Sequence, residues 1–172
     1  SFLDHNVGRI LAALEACGRL HDTRVMFVSD HGDNLGARAL WGKSTMYEES
    51  AGVPMLMAGP DVAAGRRVKT PVSHIDCFPT FVQAVGASCR MEPPLRGRSL
   101  FDIAGEPYDP ERSVLSEYHA AGSPSAAYML RRGRFKYIHY TGFAPELFDL
   151  EDDPEELSDL APRPEYGSVV DG

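Results

Sequence analysis

Residues 25–36 have the sequence VMFVSDHGDNLG, in which a short apolar run ends in an Asp-His-Gly turn. The run Val25–Val28 carries no charge and is rich in β-branched and aromatic side chains, which predicts a buried β-strand. In open α/β sheets, ligands bind beyond the carboxyl ends of the strands. The sequence therefore predicts a site at Asp30 and His31, just after this strand.

Asp30 and His31 carry the side chains that a metal site would use. Neighbouring side chains on a strand point to opposite faces, but Gly32 lets the backbone leave the strand geometry and bring the two groups together. A carboxylate oxygen and an imidazole nitrogen suit a divalent metal ion. The residues alone leave one alternative open, in which Asp30 caps the following turn beside an exposed His31.

Three further motifs follow this turn in a fixed order. They are Gly42-Lys43, then Tyr47-Glu48-Glu49, then Val53-Pro54 before a second apolar run. With Ser-Asp-His-Gly, this ordered set resembles the sulfatase family of the alkaline-phosphatase-like superfamily, and the resemblance covers nearly the whole chain. It implies an α/β fold: part of an alkaline-phosphatase-like layered sheet with helices, plus a small C-terminal antiparallel β subdomain with a helix.

The resemblance implies a metal-dependent enzyme that hydrolyses small sulfate esters. Asp30 and His31 then become two of the metal ligands, with Ca²⁺ as the first expectation and Mg²⁺ or Mn²⁺ as alternatives. Lys43 becomes a catalytic and substrate-binding residue that contacts the sulfate oxygens, a task that a compact ammonium suits as a point charge. Without the motif, an ordinary surface lysine is the simpler interpretation of Lys43.

The family nucleophile is a formylglycine formed from the first residue of a Cys/Ser-x-Pro-x-Arg pattern. The segment from Cys77 to Phe81 departs from this pattern, because Phe81 stands at the arginine position and the segment follows the metal motif. We therefore assign no catalytic role to Cys77. We expect the formylglycine and the remaining aspartate ligands in a missing N-terminal part of a longer protein, and we expect this chain alone to be inactive.

Two further side chains are weaker candidates. His119 ends a predicted strand near the proposed subdomain junction, and in some relatives this region lines the substrate pocket. We take His119 as a candidate substrate-binding residue that helps to set leaving-group specificity, with a surface histidine as the alternative. Trp41 either packs under its loop or faces a substrate, and the sequence favours packing.

Apolar spacing, helix start signals and turn signals predict the remaining elements. Steps of three and four residues between 3 and 17 predict a helix that ends near Gly18. Further helices are expected at 46–50 and 77–85 and from Asp153-Pro154 onward, and strands at 53–58, 68–72, 113–118, 127–130, 135–140 and 147–150. Residues 162–172 show no clear pattern. The change of period predicts a boundary near residue 104, and the resemblance implies that residues 1–104 are the C-terminal part of the sulfatase α/β catalytic domain and residues 105–172 a small, incomplete antiparallel C-terminal subdomain.

Charge and cysteine content limit the classes of function that the sequence allows. The formal net charge is −8, and residues 146–159 hold eight acidic residues without Lys or Arg, so the acidity is local. The one basic cluster, residues 131–136, is short and is interpreted as a solvated hairpin end, so no nucleic-acid partner is expected. No apolar run has membrane-spanning length. Cys17, predicted to be a core thiol, Cys77 and Cys89 form neither a zinc pattern nor a disulfide framework.

Two other functions remain open at this stage. Phosphonate monoester hydrolases and related phosphodiesterases share much of the pattern, and a non-catalytic interaction domain that keeps the fold is a second alternative. The strand at Val25 would lack its usual neighbours in an isolated chain, so exposed edges make a homo-oligomer possible. The sequence leaves both a cytoplasmic and a periplasmic location open.

Overall fold

The computed structural model describes residues 1–88, 94, 96–120 and 122–170. Cys89 lies outside these residues. The chain divides into two compact units. Unit 1 combines Ser1–Ser29 with Pro54–Arg67, and unit 2 combines Asp30–Val53 with Val68–Gly172. The expected boundary between residues 104 and 105 stays a prediction.

Unit 1 contains one helix and a two-stranded antiparallel sheet. Helix α1 spans Phe2–Ala16, and its N-cap Ser1 accepts a hydrogen bond from the Asp4 N–H. Strands β1 (Val25–Val28) and β2 (Met55–Ala58) pair so that Val25 lies opposite Ala58. The helix and both strands confirm the elements that were predicted from the spacing of apolar residues. All four residues of β1 are only half-buried, however, because this ladder has only two strands among the described residues.

Cys17 is exposed, so its prediction as a core thiol is wrong. It is the C-cap of α1, and its backbone N–H donates to the carbonyl of Ala13. The chain turns away at Gly18, whose φ of +67° is in the left-handed region. No residue of α1 is buried, so Cys17 is exposed together with apolar residues of this helix.

Unit 2 is built on a four-stranded antiparallel sheet in the order β3-β4-β5-β6. The strands are β3 (Ser113–Tyr118), β4 (Ala127–Arg132), β5 (Phe135–Tyr140) and β6 (Glu146–Asp149). The helices of this unit are α2 (Glu48–Ala51), α3 (Cys77–Ala84), α4 (Leu100–Gly105) and α5 (Gly167–Val170). Sheets and helices together confirm the α/β class and the antiparallel C-terminal strands.

The core of unit 2 lies on one face of this sheet. Alternate residues of the strands point inward, so Met129 faces Ile138 across the β4–β5 pair. The buried core consists of Met46, Ala127, Met129, Ile138 and Phe148, with Tyr47 and Ala51 packed against it. Met46 and Tyr47 directly precede α2, and Ala51 is its last residue. Residues 46–51 therefore pack directly on the sheet.

Two predicted elements are absent from the described chain. Residues 68–72 form no strand. Pro71 has no N–H to offer a ladder, and its carbonyl accepts instead from Arg112 Nε at 2.8 Å. The helix expected from Asp153 is replaced by turns, because Glu156 has a φ of +53° and Ser158 N bonds the Asp153 side chain.

The C-terminal residues are more ordered than their sequence suggested. A 3₁₀ turn over Pro164–Tyr166 leads into α5. The ring of Tyr166 packs edge-on against Phe135, with the ring centroids 6.1 Å apart. A long-range aromatic contact of this kind leaves no local periodicity in the sequence.

The interpretation of the basic cluster at 131–136 as a solvated hairpin end fails for Lys136, whereas Arg132 at the hairpin end has a side chain that is 54% exposed. Lys136 is completely buried, and Arg132 pairs with Glu111. Arg134 pairs with Asp149 and Asp152. The strand alternation places Lys136 on the inner face of the sheet, where acidic partners from elsewhere in the chain neutralise it.

No helix in the described part of the chain is long and apolar enough to cross a membrane.

A buried ion pair joins the start of α3 to β3. Asp76 is fully buried, and its two oxygens lie 2.7 and 2.9 Å from Arg112 Nη2. Arg112→Met would leave the Asp76 carboxyl without this partner, so we expect the free energy of unfolding to fall by about 3 kcal/mol in denaturant titration. The control is Arg132→Met in the exposed pair with Glu111, which should cost about 1 kcal/mol or less. Equal losses for the two variants would contradict the prediction.

Candidate active site

The site begins at Asp30, the first residue of unit 2. Its side chain is 84% exposed. The backbone N–H of His31 donates to Asp30 Oδ1 at 3.0 Å, and this hydrogen bond lowers the pKa of the Asp30 carboxyl below its ordinary value. Asp30 therefore presents an ionised carboxylate at neutral pH, as a metal ligand must.

The hydrogen bonds of His31 define its tautomer. Nδ1 lies 2.7 Å from the carbonyl oxygen of Gly32, which can only accept, so Nδ1 carries the proton. Nε2 lies 2.5 Å from Lys43 Nζ, an ammonium that can only donate, so Nε2 offers a lone pair. A metal-binding histidine commonly donates its other ring N–H to a backbone carbonyl in this way.

The structure brings the three predicted groups of Asp30, His31 and Lys43 together. Asp30 Oδ2 lies 3.4 Å from His31 Nε2, which in turn contacts Lys43 Nζ. An oxygen donor beside a nitrogen donor fits a divalent cation. The Nε2 lone pair serves one cation at a time, so a metal ion at Nε2 requires Lys43 to release it.

Two protein ligands do not complete a metal site. Among the described residues, no group of three or more His, Cys, Asp or Glu side chains could hold a metal ion. Asp30 and His31 thus fit as part of a ligand set, and any complete set needs further donors.

Gly32 is required by a close backbone approach. A Cβ atom at this position would lie 2.0 Å from the carbonyl oxygen of Glu49 and 3.5 Å from the Cα of Ser50. The N–H of Gly32 donates to the Ser50 carbonyl at 2.8 Å. The turn that carries His31 therefore lies so close to α2 that the Cα of Gly32 has space for a hydrogen atom but not for a side chain.

Asn34 closes the loop that returns the chain to Lys43. It is buried, and both its backbone N–H and its side-chain amide donate to the carbonyl of Gly42, at 2.8 and 2.6 Å. Thr45 Oγ1 donates to Asn34 Oδ1 at 3.1 Å. The sequence analysis missed this role, although an Asn within a Gly-rich loop is a recognised turn signal.

Arg38 anchors the far side of the same loop. Its Nη1 contacts both carboxylate oxygens of Glu49 at 2.5 Å, and its guanidinium lies 4.3 Å from the centroid of the Tyr47 ring. Arg38 Nη2 also donates to the carbonyl of Glu155. Arg38 has a φ of +52°, which is uncommon for a residue with a side chain. These contacts hold the loop against both α2 and the turn after β6.

Tyr118, the last residue of β3, connects the four-stranded sheet to the loop that carries Lys43. Its hydroxyl lies 2.8 Å from Ser44 Oγ, next to Lys43. His119, the next residue, is exposed and packs edge-on against Tyr128 with ring centroids 5.0 Å apart. The structure therefore places His119 one residue away from a direct contact with the Lys43 loop.

Two other predictions from the sequence have outcomes here. Trp41 is 77% exposed and lies over Gly36, so the prediction that it packs under the loop is wrong. Gly36 adopts a φ of +93°, which turns the loop outward at this point. Burial raises the pKa of the Cys77 thiol, and the neighbouring Asp76 raises it further, so Cys77 is poorly suited to act as a thiolate.

Comparison with known proteins identifies the family. The family model described as Sulfatase matches residues 1–87. The chain belongs to the sulfatase family. It is 40% identical over 165 residues to the choline-sulfatase of Rhizobium meliloti (strain 1021), covering 95% of this chain and 32% of that protein. It is 37% identical over 169 residues to the arylsulfatase K of Homo sapiens, covering 92% and 31%. The chain thus spans about a third of the length of these relatives.

Solved structures agree with this sulfatase assignment. The BT4656 protein, in complex with its substrate D-glucosamine-2-N,6-O-disulfate, matches with a TM-score of 0.86 and 27% identity over 96% of this chain and 35% of that one. The phosphonate monoester hydrolase of Agrobacterium radiobacter matches with a TM-score of 0.78 and 30% identity over 96% and 36%. The expected alkaline-phosphatase-like fold is confirmed.

The Gly32 contact yields a stability prediction. Gly32→Ala forces a methyl group into the Glu49 carbonyl, so we expect the free energy of unfolding to fall by about 1–3 kcal/mol, as for other overpacked sites. The control is Gly105→Ala at the end of α4, where a Cβ would meet nothing within 4 Å. Denaturant titration of both variants measures the difference, and an unchanged Gly32→Ala would refute the close approach.

Proposed function

We propose that this chain is part of a metal-dependent sulfatase that hydrolyses small sulfate esters. The observation that carries the proposal is the cluster in which His31 Nε2 lies 3.4 Å from Asp30 Oδ2 and 2.5 Å from Lys43 Nζ. Hydrolysis of a sulfate ester places negative charge on the transferred group, and the cluster offers cationic and metal-binding groups where that charge would lie.

Asp30 and His31 would hold the metal ion. Ca²⁺ is our first choice and Mg²⁺ or Mn²⁺ the alternatives, and the bound ion would act as a Lewis acid on a sulfate oxygen. The part of His31 is to offer its Nε2 lone pair, because the Gly32 carbonyl accepts from Nδ1 at 2.7 Å. The part of Asp30 is to remain ionised, which its hydrogen bond from the His31 backbone favours.

Lys43 would bind the sulfate oxygens and stabilise their charge in the transition state. Its ammonium lies 2.5 Å from Nε2 of His31, one of the two residues that would hold the metal ion, so a sulfate group bound beside that ion would lie within reach of Lys43. The backbone of Lys43 is held by Ser50, whose Oγ donates to the Lys43 carbonyl at 2.6 Å. The side chain can therefore reorient from a fixed base.

A formylglycine nucleophile would come from outside the described residues. Cys77, with its raised pKa and without the arginine of the family pattern, does not supply one. We therefore also propose that the 172-residue chain by itself has no meaningful turnover. Tests of activity accordingly need the complete gene product.

Lys43→Met tests the proposal in that complete protein. Removal of a charge that acts on the transition state should lower kcat/KM for p-nitrophenyl sulfate by about a hundredfold or more. Lys69→Met, which removes an exposed lysine of the same unit, is the matched control and should leave the rate unchanged. Undiminished turnover by Lys43→Met would remove Lys43 from the mechanism.

A second candidate function is hydrolysis of phosphonate monoesters, favoured by the similarity to the Agrobacterium enzyme at 30% identity. The same protein assayed with matched aryl sulfates and aryl phosphonates separates the two, since the better substrate has the larger kcat/KM. Turnover of neither class would favour the third possibility, a non-catalytic interaction domain that retains the fold.

His119 offers a test of substrate specificity. If it faces the leaving group, His119→Ala should change the ratio of kcat/KM between bulky and small sulfate esters by about tenfold, the worth of one modest contact. His5→Ala on α1 is a control that also removes an exposed histidine. A substrate profile identical to the unmodified enzyme would show that His119 is only a surface residue.

A further inference from the structure

A buried ion cluster beneath α2 has no role in the mechanism described so far. The side chains of Lys136 and Glu156 are both completely buried. Lys136 Nζ lies 2.7 Å from Glu156 Oε1 and 2.9 Å from Glu48 Oε1. Burial raises the pKa of the Glu156 carboxyl, and the adjacent Lys136 opposes that shift.

This cluster is costly to build. Two charges are removed from water, and the attraction between them often does no more than offset that cost. Glu156 also adopts a φ of +53°, which is unfavourable for a residue with a side chain. Costs of this kind persist where the surrounding structure needs the group in one position.

What Glu156 provides at that position is a hydrogen bond to α2. Its Oε2 accepts from the backbone N–H of Glu48 at 2.7 Å, at the first residue of that helix. Glu48 is 108 residues away in the sequence. Glu156 and Lys136 therefore attach the start of α2 to the C-terminal sheet by both a backbone contact and a side-chain contact.

On the opposite face of α2, the buried residue Ser50 forms hydrogen bonds to the candidate active site. Its hydroxyl donates to the carbonyl of Lys43 at 2.6 Å. Its carbonyl accepts from the N–H of Gly32 at 2.8 Å. Ser50 thus bonds directly to the Lys43 peptide and to the turn that carries His31.

We propose that Ser50 and Glu156 are positioning residues: Glu156, paired with Lys136, fixes α2 on the sheet, and Ser50 sets the spacing between His31 and Lys43. This inference rests on the proposed function for its kinetic consequence but not for its structural one. The Lys43 ammonium reaches His31 at 2.5 Å only if both backbone segments keep their places. A misplacement of about 1 Å at a reacting group can reduce a rate about a hundredfold.

Ser50→Ala in the complete protein tests the proposal most directly, since it removes the hydroxyl bond to Lys43 and leaves the backbone bond to Gly32. We expect the inhibition constant of inorganic sulfate to rise about tenfold and kcat to fall about ten- to a hundredfold. The inhibition constant does not depend on how much enzyme is folded, so a purely structural effect would not change it.

Ser99→Ala is the matched control. Ser99 is also buried, and its hydroxyl caps α4 by accepting from the Phe101 N–H. Its loss should lower Tm without changing the inhibition constant of sulfate. An unchanged inhibition constant and kcat in Ser50→Ala would overturn the role of Ser50.

Two substitutions of Glu156 test the other end of α2. Glu156→Gln keeps an oxygen that can accept from the Glu48 N–H, whereas Glu156→Leu does not. We expect a smaller kinetic defect in Glu156→Gln than in Glu156→Leu, because the single amide oxygen of Gln can replace one of the two contacts of Glu156, to the Glu48 N–H or to Lys136, but not both. Equal kinetics in both variants, once corrected for folded fraction, would overturn the role of Glu156.

A spectroscopic readout separates this inference from the proposed function. The ¹⁵N chemical shifts of the His31 ring report its tautomer and the Nε2 contact without any substrate. Ser50→Ala should shift these signals, and Ser99→Ala should not. If the unmodified protein hydrolyses no sulfate ester, the proposed function fails, and the His31 signals still decide whether Ser50 positions the cluster.

Discussion

The backbone contact between Gly32 and α2 is the constraint on which the site depends. The Gly32 N–H meets the Ser50 carbonyl at 2.8 Å, and a Cβ would lie 2.0 Å from the Glu49 carbonyl. Only glycine permits this approach. Through it, the turn that carries Asp30 and His31 takes its position from a helix of four residues rather than from β1 alone.

That short helix cannot be stable by itself, because an isolated helix needs about 12–15 residues even with favourable sequences. Its stability comes from the sheet beneath it. Apolar contacts of Met46 and Tyr47 with Phe148 supply part of this support. Hydrogen bonds supply another part: Tyr47 and Tyr140 both donate to Glu146, at 2.9 and 3.0 Å. Burial, together with Glu146, raises the pKa of Tyr47 to about 12, so its hydroxyl remains a donor at neutral pH.

The Tyr-Glu-Glu motif thus has a structural explanation. Tyr47 attaches α2 to the sheet, Glu48 contacts buried Lys136, and Glu49 holds Arg38 of the loop. These structural contacts explain the residue type at each of the three positions without any contact to a substrate. In this sulfatase chain, the residues proposed for chemistry and the residues that hold them therefore alternate along one stretch of sequence.

Local patterns predicted much of the fold correctly. The spacing of apolar residues predicted α1 and α3, and the change of period in the C-terminal part predicted the strands from β3 to β6. The start signal at Asp153-Pro154 predicted a helix that is replaced by turns, because Glu156 has a φ of +53°. The strand predicted at residues 68–72 is also absent, and this segment bonds to a later one: the Asp109 backbone N–H donates to Thr70 Oγ1, and Arg112 Nε donates to the Pro71 carbonyl.

For the candidate site, the sequence by itself predicted Asp30, His31 and Lys43 as the residues proposed for the chemistry, because they lie within a short, ordered motif. Only the tertiary structure decided how they are held. Asn34, Ser50, Lys136 and Glu156 act through contacts whose partners lie 7 to 108 residues away, across a loop or a sheet. Such contacts depend on the three-dimensional path of the backbone, and they leave no period or spacing that a linear sequence displays.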